Sequence, residues 1–211
     1  MARITQLGTR IELVSMDRHF DDISIALYES ERSGRLGAIV HTYSAKDGAS
    51  ERLKSVVEAM AQLGGLGSDG EHAVSFACGT WHCAAAKRAF LEACKLASDT
   101  PAEARPLEAQ DGRSGQSIRV EPLGAGRYTV HADGADDESS SRAPAIARGL
   151  AKLAELDTVD ETTVAFGCGA DHDEVIGLLL VRALNLRSTL REEQAAAAPS
   201  VLAAPSAQEQ T

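Results

Sequence analysis

Apolar and polar positions alternate near the start of the chain, then switch to a helical period. Residues 10–16, Arg-Ile-Glu-Leu-Val-Ser-Met, alternate with a period of two, and so do residues 22–29 around Ile23, Ile25 and Leu27. Both predict half-buried strands. Ser33-Gly34 supplies a turn into a third strand over residues 36–43. Ser50 stands where an N-cap is expected, before a helix with Leu53, Val56, Val57, Met60 and Leu63 on one face. Gly64-Gly65 ends that helix. A strand over residues 72–78 follows, and Gly79 turns the chain into a helix over residues 81–97 that stacks Ala86, Phe90, Ala93 and Ala97.

The same order then recurs. Strands are predicted at residues 117–121 and 127–132, joined by Gly124-Ala125-Gly126, and an acidic loop over residues 133–141 leads to a helix carrying Ile146, Leu150, Leu153 and Leu156. A strand over residues 163–168 and a helix over residues 172–191 complete it. Asp171 and Glu174 are spaced as a capping box at the start of that last helix. Residues 40–96 and 130–186 align without a gap at an offset of 90 (168 − 78 = 90), pairing Val40 with Val130, His41 with His131, Arg52 with Arg142, Phe76 with Phe166, Cys78 with Cys168 and His82 with His172.

This predicts an α+β fold made of two β-β-α-β-α repeats related by pseudo-twofold symmetry, with helices on a largely antiparallel sheet. The first repeat spans residues 1–98, a polar connector with two prolines spans 99–116, the second repeat spans 117–191, and residues 192–211 read as a disordered tail. A half of about 95 residues is marginal as an independent core, so the two are expected to form one globular unit. A period of 90 is too long for a helical solenoid.

Composition removes several function classes. A formal net charge of −10 and the lack of any Lys/Arg cluster argue against nucleic acid as a partner. No apolar run is long enough to span a bilayer, and the first residues lack the apolar core of a signal peptide. The expected location is the cytoplasm, where Cys78, Cys83, Cys94 and Cys168 are thiols, metal ligands or nucleophiles rather than disulfides. No Cys-x-x-Cys pair occurs, and neither a dinucleotide fingerprint, a Walker loop nor a Gly-x-Ser-x-Gly elbow is written here.

The candidate chemistry lies in Cys-Gly-x-x-His, which occurs as Cys78-Gly79-Thr80-Trp81-His82 and as Cys168-Gly169-Ala170-Asp171-His172. Each copy sits where a strand stops and a helix starts. Free backbone N–H groups and the helix dipole there favour a thiolate, and a Cys and a His across one turn suit zinc, manganese or iron as a divalent ligand pair. The bland alternative is that both cysteines are small core residues and both glycines merely permit the turn. His41 and His131 are further metal candidates because four of the six histidines occupy matched positions. Tyr128, Val130 and Ala132 are expected to face the core, which puts His131 on the opposite face with Thr129. If Cys168 faces the helices, a Cys-His-His site within one half then needs a strand twist, a bulge or a contribution from the other half. Trp81, Lys87 and Arg88 could offer an aromatic and cationic wall to a ligand, while Asp171, Asp173 and Glu174 offer carboxylates.

The duplicated plan, with a His at the start of each half's last helix, resembles imidazoleglycerol-phosphate dehydratase, a family built of two such halves that binds manganese through histidines. The likeness is architectural and covers residues 10–191. The family's His-His-x-x-Glu signature is not met, since His82 is followed by Cys83-Ala84-Ala85-Ala86 and His172 by Asp173-Glu174-Val175-Ile176. What the resemblance implies is therefore a fold, and a site shared between halves or subunits, rather than dehydration. The leading expectation is a small-molecule enzyme working through Cys78, His82, Cys168 and His172. It uses either a metal as Lewis acid or Cys78 as nucleophile with His82 as base. The rival is a non-catalytic binding or assembly module, in which the apolar breadth of Leu178, Leu179, Leu180 and Val181 packs a pseudo-dimer or a homo-oligomer.

Overall fold

The computed structural model describes residues 11–20, 23–32, 35–68, 72–112, 115–133 and 137–184. The turn at Ser33-Gly34, residues 134–136 of the acidic loop, the end of the last helix and the expected tail lie outside them, and residues 137–141, expected in that loop, are helical. In chain order the elements are β1 (Ile11–Phe20), β2 (Ile23–Arg32), β3 (Arg35–Thr42), α1 (Ala49–Gly64), β4 (Leu66–Ser68), β5 (Ala73–Phe76) and α2 (Cys83–Ala93). Then come β6 (Glu108–Gln110), β7 (Ser117–Gly124), β8 (Arg127–Ala132), α3 (Asp137–Ala154), β9 (Asp157–Thr158) and β10 (Thr163–Ala165). A fourth helix, α4, occupies residues 173–184.

The strands form two five-stranded antiparallel sheets, ordered β1-β2-β3-β5-β4 and β6-β7-β8-β10-β9. The protein is thus α+β. Among the described residues no strand neighbour is parallel, so the strand-to-helix steps at Cys78 and Cys168 do not link parallel neighbours there. The short strands β4, β6 and β9 had no periodic signature, because two or three residues cannot show one. They extend each sheet beyond the predicted plan, and β6 lies inside the segment read as a connector. In register, Ala38 faces Val74 in the first sheet and Tyr128 faces Val164 in the second.

Helix α1 forms as its apolar stripe predicts, with Leu53, Val56, Val57, Met60 and Leu63 buried. Its start differs. Gly48, at φ 83°, is the N-cap, and no side chain caps the helix; Ser50 lies inside the first turn. A left-handed Gly48 lets the chain enter the helix from a turn that a side chain at that position resists. Gly65, at φ 58°, ends α1 with its N–H on the Ala61 carbonyl, in the expected manner. Helix α2 is shorter than its periodicity suggested and buries mainly alanines: Ala85, Ala86, Ala89 and Ala93 around Phe90. Small side chains let it approach α1 closely; a Cβ on Gly64 would stand 3.0 Å from that of Ala89.

Two arginines, Arg52 buried and Arg142 half-buried, tie helices to their neighbours. Arg52 of α1 donates to the carbonyls of Cys94 (2.7 Å) and Leu96 (2.6 Å), just past the last turn of α2. Arg142 of α3 donates to the Leu184 carbonyl of α4 and forms an ion pair with the buried Asp111. The apolar core is a single cluster that draws on both sheets and all four helices, from Leu27, Val40, Met60 and Phe90 to Ile118, Leu150, Ile176 and Leu179. Helix α4 is buried on nearly every side, as its run of apolar residues requires. Residues 105–106 lie across it at Gly177, where a Cβ would come within 2.0 Å of the Arg105 carbonyl oxygen. The α2 and α4 helices meet at Glu92 and Arg182, which form an ion pair.

Candidate metal centre

Strands β5 and β10 each end in a tight turn. The Gly79 N–H returns to the Phe76 carbonyl (3.1 Å), and the Gly169 N–H to the Phe166 carbonyl (3.0 Å). Both glycines have positive φ, 78° and 71°, a conformation that costs a side-chain-bearing residue about 1 kcal/mol or more. The turn aims each thiol at the amide two residues on: Thr80 N–H to Cys78 Sγ and Ala170 N–H to Cys168 Sγ, both 3.4 Å. Four residues after each Cys, a His begins the following helix. The His82 carbonyl accepts from Ala86 N–H (2.9 Å) and the His172 carbonyl from Ile176 N–H (3.1 Å). The imidazoles fold back toward the thiols, with Cys78 Sγ 3.5 Å from His82 Nε2 and Cys168 Sγ 3.3 Å from His172 Nε2.

These two Cys-His pairs are brought face to face. The four ligand atoms of Cys78, His82, Cys168 and His172 all lie within 4.8 Å of one another, an arrangement that could hold a metal ion. The His rings meet each other with centroids 4.8 Å apart. Each also packs against both phenylalanines: His82 lies 4.9 Å from Phe76 and 5.1 Å from Phe166, and His172 lies 5.3 and 4.6 Å from them. His172 is buried, and Cys78, Cys168 and His82 are half-buried.

No protein-family model, curated protein or solved structure matches this chain.

The donor set fits a divalent cation on three counts. A tetrahedral zinc with Zn–S near 2.3 Å and Zn–N near 2.0–2.1 Å sets sulfur and nitrogen about 3.5 Å apart, and both Cys-His pairs already stand at that separation. Burial, and then the neighbouring His172, lower the His82 pKa to about 4, and burial lowers that of His172. Both imidazoles are therefore neutral and present a lone pair. Burial, opposed by the Ala170 N–H, raises the Cys168 thiol pKa, so that thiol is held protonated until a cation replaces the proton. Two thiolates, two neutral imidazoles and a divalent ion sum to zero charge, which suits a site walled by Phe76 and Phe166.

The second Cys-His pair is more firmly held than the first. The Tyr128 hydroxyl accepts the His172 backbone N–H and donates to Asp173 Oδ1 (2.9 Å). Burial pushes the Tyr128 phenol pKa up, so this donor keeps its proton. Asp171 Oδ1 accepts the Gly126 N–H (2.8 Å), which ties the turn to the β7–β8 hairpin. Asp171 was expected to act with Glu174 in a capping box; its carboxylate holds the hairpin instead, and Glu174 lies against Gly65 at the end of α1. Tyr128 was legible as a core-facing residue. Its hydroxyl's role was not, because both partners depend on the turn after β10.

The remaining sequence candidates are not brought to the cluster. His131 is on the other face of its strand, 3.2 Å from Glu121 Oε2, and the His41 ring packs on Tyr43 at 4.8 Å. The alternation of β3 and β8 dictates this: Val40 and Val130 point inward, so their neighbours point out. Trp81 packs on Phe76 at 5.7 Å and against the core, as a side chain covering the core edge does. Lys87 is exposed. Arg88 lies near Arg182 and Glu92, with its pKa lowered by burial and by Arg182. The described surface clefts, beside α1 at Ser50, Lys54 and His72 and at Ser55, Gln62 and Pro101, are lined by other residues. Among the described residues no helix is long and apolar enough to cross a membrane.

Proposed function

We propose that Cys78, His82, Cys168 and His172 form a mononuclear zinc centre joining the two halves of an internally duplicated protein, and that the protein acts through this centre. The observation that carries the reading is the cluster itself, four ligand atoms within 4.8 Å drawn equally from two segments 90 residues apart. Soft thiolates with imidazoles favour zinc over manganese, whose preferred ligands are carboxylates and water. A dinuclear iron–sulfur cluster divides such ligands between two irons, whereas here each thiolate stands beside an imidazole. The duplication accounts for more than the site. Arg52 and Arg142, also 90 apart, donate to the carbonyls of Cys94 and Leu184, again 90 apart. Pairs that meet each other at that same separation, His82 with His172 and Glu92 with Arg182, lie on the pseudo-twofold axis of this reading.

Four protein ligands make a closed centre, the form that zinc takes where it stabilises a fold. A second reading, a metal-dependent small-molecule enzyme, has one observation in its favour. His82 is half-buried and has alanine, Ala38, at the register position from which Tyr128 secures His172. It is the ligand best placed to yield its position to water or a substrate, leaving zinc with three protein ligands as Lewis acid.

Elemental analysis of protein purified without chelator, beside the His82→Ala/His172→Ala variant, tests the centre. One metal per chain, lost in the variant, is the expected result. Cobalt(II) in its place should give the visible spectrum of tetrahedral thiolate–imidazole coordination. Protein that stays empty after incubation with zinc, manganese and iron(II) overturns the reading and leaves Cys78 as a thiol nucleophile with His82 as base.

A further inference from the structure

We infer that Cys78 and Cys168 are also an oxidation site: a hydroperoxide joins them in a disulfide and expels the metal. This rests on the zinc reading above and adds a chemical control to it. The two sulfurs lie within 4.8 Å of each other, and Cys83 and Cys94 are not in the cluster. Both reacting cysteines are half-buried rather than enclosed, and the flanking Gly79, Thr80 and Gly169 are exposed. A molecule the size of hydrogen peroxide can therefore reach a thiolate.

The chemistry balances with peroxide as the two-electron oxidant. One thiolate attacks a peroxide oxygen; the O–O bond breaks, a sulfenic acid forms and the released hydroxide takes a proton to leave as water. The second thiolate attacks the sulfenic sulfur, the S–S bond forms, and the S–O bond breaks to release hydroxide, which takes a second proton from solvent to leave as water. The two sulfurs together lose two electrons and the peroxide gains them. A disulfide has no anionic sulfur to offer, so the cation is left with two imidazoles and departs.

Forming a bond of about 2.05 Å requires one sulfur to move, and the structure shows which arm has the freedom. The Cys168 arm is bound through Tyr128 to His172 and Asp173, and through Asp171 to the β7–β8 hairpin. The Cys78 arm has Ala38 where the other has Tyr128, and Trp81 and Cys83 where the other has Asp171 and Asp173. Cys78, on its exposed turn, moves toward Cys168. The same asymmetry makes the step reversible, since the Cys168 half keeps its geometry for the return of the metal.

The experiment uses the full chain loaded with zinc, whose stoichiometry is measured first with a chromogenic chelator in denaturant. Hydrogen peroxide is then added to the native protein, zinc release is followed with the same chelator, and disulfides are mapped by non-reducing digestion and mass spectrometry. The expected result is release of one zinc per peroxide consumed, a Cys78–Cys168 cross-link, and recovery of zinc binding after dithiothreitol. In Cys83→Ser the same cross-link should form. In Cys78→Ser it should not, and dimedone should label Cys168. Zinc retained under excess peroxide, zinc lost with sulfinic acids at both sulfurs, or a cross-link to Cys83 overturns this inference while leaving the centre intact. Failure to load zinc at the outset overturns the centre itself.

Discussion

His82 and His172 meet edge to face, with ring centroids 4.8 Å apart and planes at 72°, although 90 positions separate them in the chain. Two imidazoles in such contact between Phe76 and Phe166 cannot both carry a proton cheaply. Burial first, and the His172 ring second, bring the His82 pKa down to about 4, and burial lowers that of His172. The unfolded chain takes up these protons near pH 6.5. Folded-state pKa values below the unfolded ones stabilise the protein fully above about pH 6.5, and this contribution is lost as pH falls toward 4. The denaturation midpoint of metal-free protein should therefore drop across that window. His82→Ala/His172→Ala should flatten the slope, and an equal slope in the variant would assign it elsewhere.

Removing the metal should lower stability at neutral pH. Zinc that binds only the folded chain stabilises it in proportion to the logarithm of its concentration over Kd. Thermal unfolding with excess chelator should come at least several degrees below that of the zinc-loaded protein. The His82→Ala/His172→Ala variant should show no difference between the two conditions.

Tyr128→Phe should weaken both fold and centre. It removes the acceptor of the buried His172 N–H and the donor to Asp173. Leaving such a group unpaired costs about 1–3 kcal/mol, read as a shift in urea midpoint. Loosening the support of a ligand typically costs about 10-fold or more in affinity, read by competition with a zinc chelator.

Gly177→Ala should destabilise the protein without touching the ligands. The added methyl would sit 2.0 Å from the Arg105 carbonyl oxygen, a backbone atom that cannot rotate away. Overpacking of this kind costs about 1–3 kcal/mol. Chemical denaturation reads the loss, while zinc stoichiometry should be unchanged.

Arg142→Ala should be the most damaging of these variants. It strips the guanidinium from Asp111, in a pair whose side chains are 11% and 6% exposed. Breaking a buried pair from one side costs about 3–5 kcal/mol. The double variant Arg142→Met/Asp111→Leu should recover much of that loss in the same urea titration, because it leaves no charge behind.

Much of this was legible in the sequence because the residues concerned repeat. The recurrence of Cys-Gly-x-x-His marked all four residues of the cluster, while its strand-to-helix position was expected to favour a thiolate and burial instead raises the Cys168 pKa. The period-two pattern of Tyr128, Val130 and Ala132 placed His131 on the outer face, away from the cluster. That the two halves contribute to one cluster could be posed only as one alternative, since the meeting of His82 and His172 is a tertiary contact. Ser50 misled as a cap because Gly48, two residues earlier, turns the chain with a backbone conformation that a Ser signal conceals. Trp81, Lys87 and Arg88 were grouped as a binding wall by adjacency to His82; in the fold Trp81 packs on Phe76 and Arg88 lies near Arg182 and Glu92. Strands β4, β6 and β9 carry too few residues to register as a period.

The spacing of the four cluster residues also bears on how the molecule comes apart. Cys78 and His82 are neighbours, as are Cys168 and His172, so each half assembles its own pair of donors locally. Closing the set demands a contact across ninety positions, the kind that forms late because the chain entropy must be spent first. An ion held there should leave the refolding rate nearly unchanged and act on the opposite arm of the kinetics, slowing the first separation of the two halves.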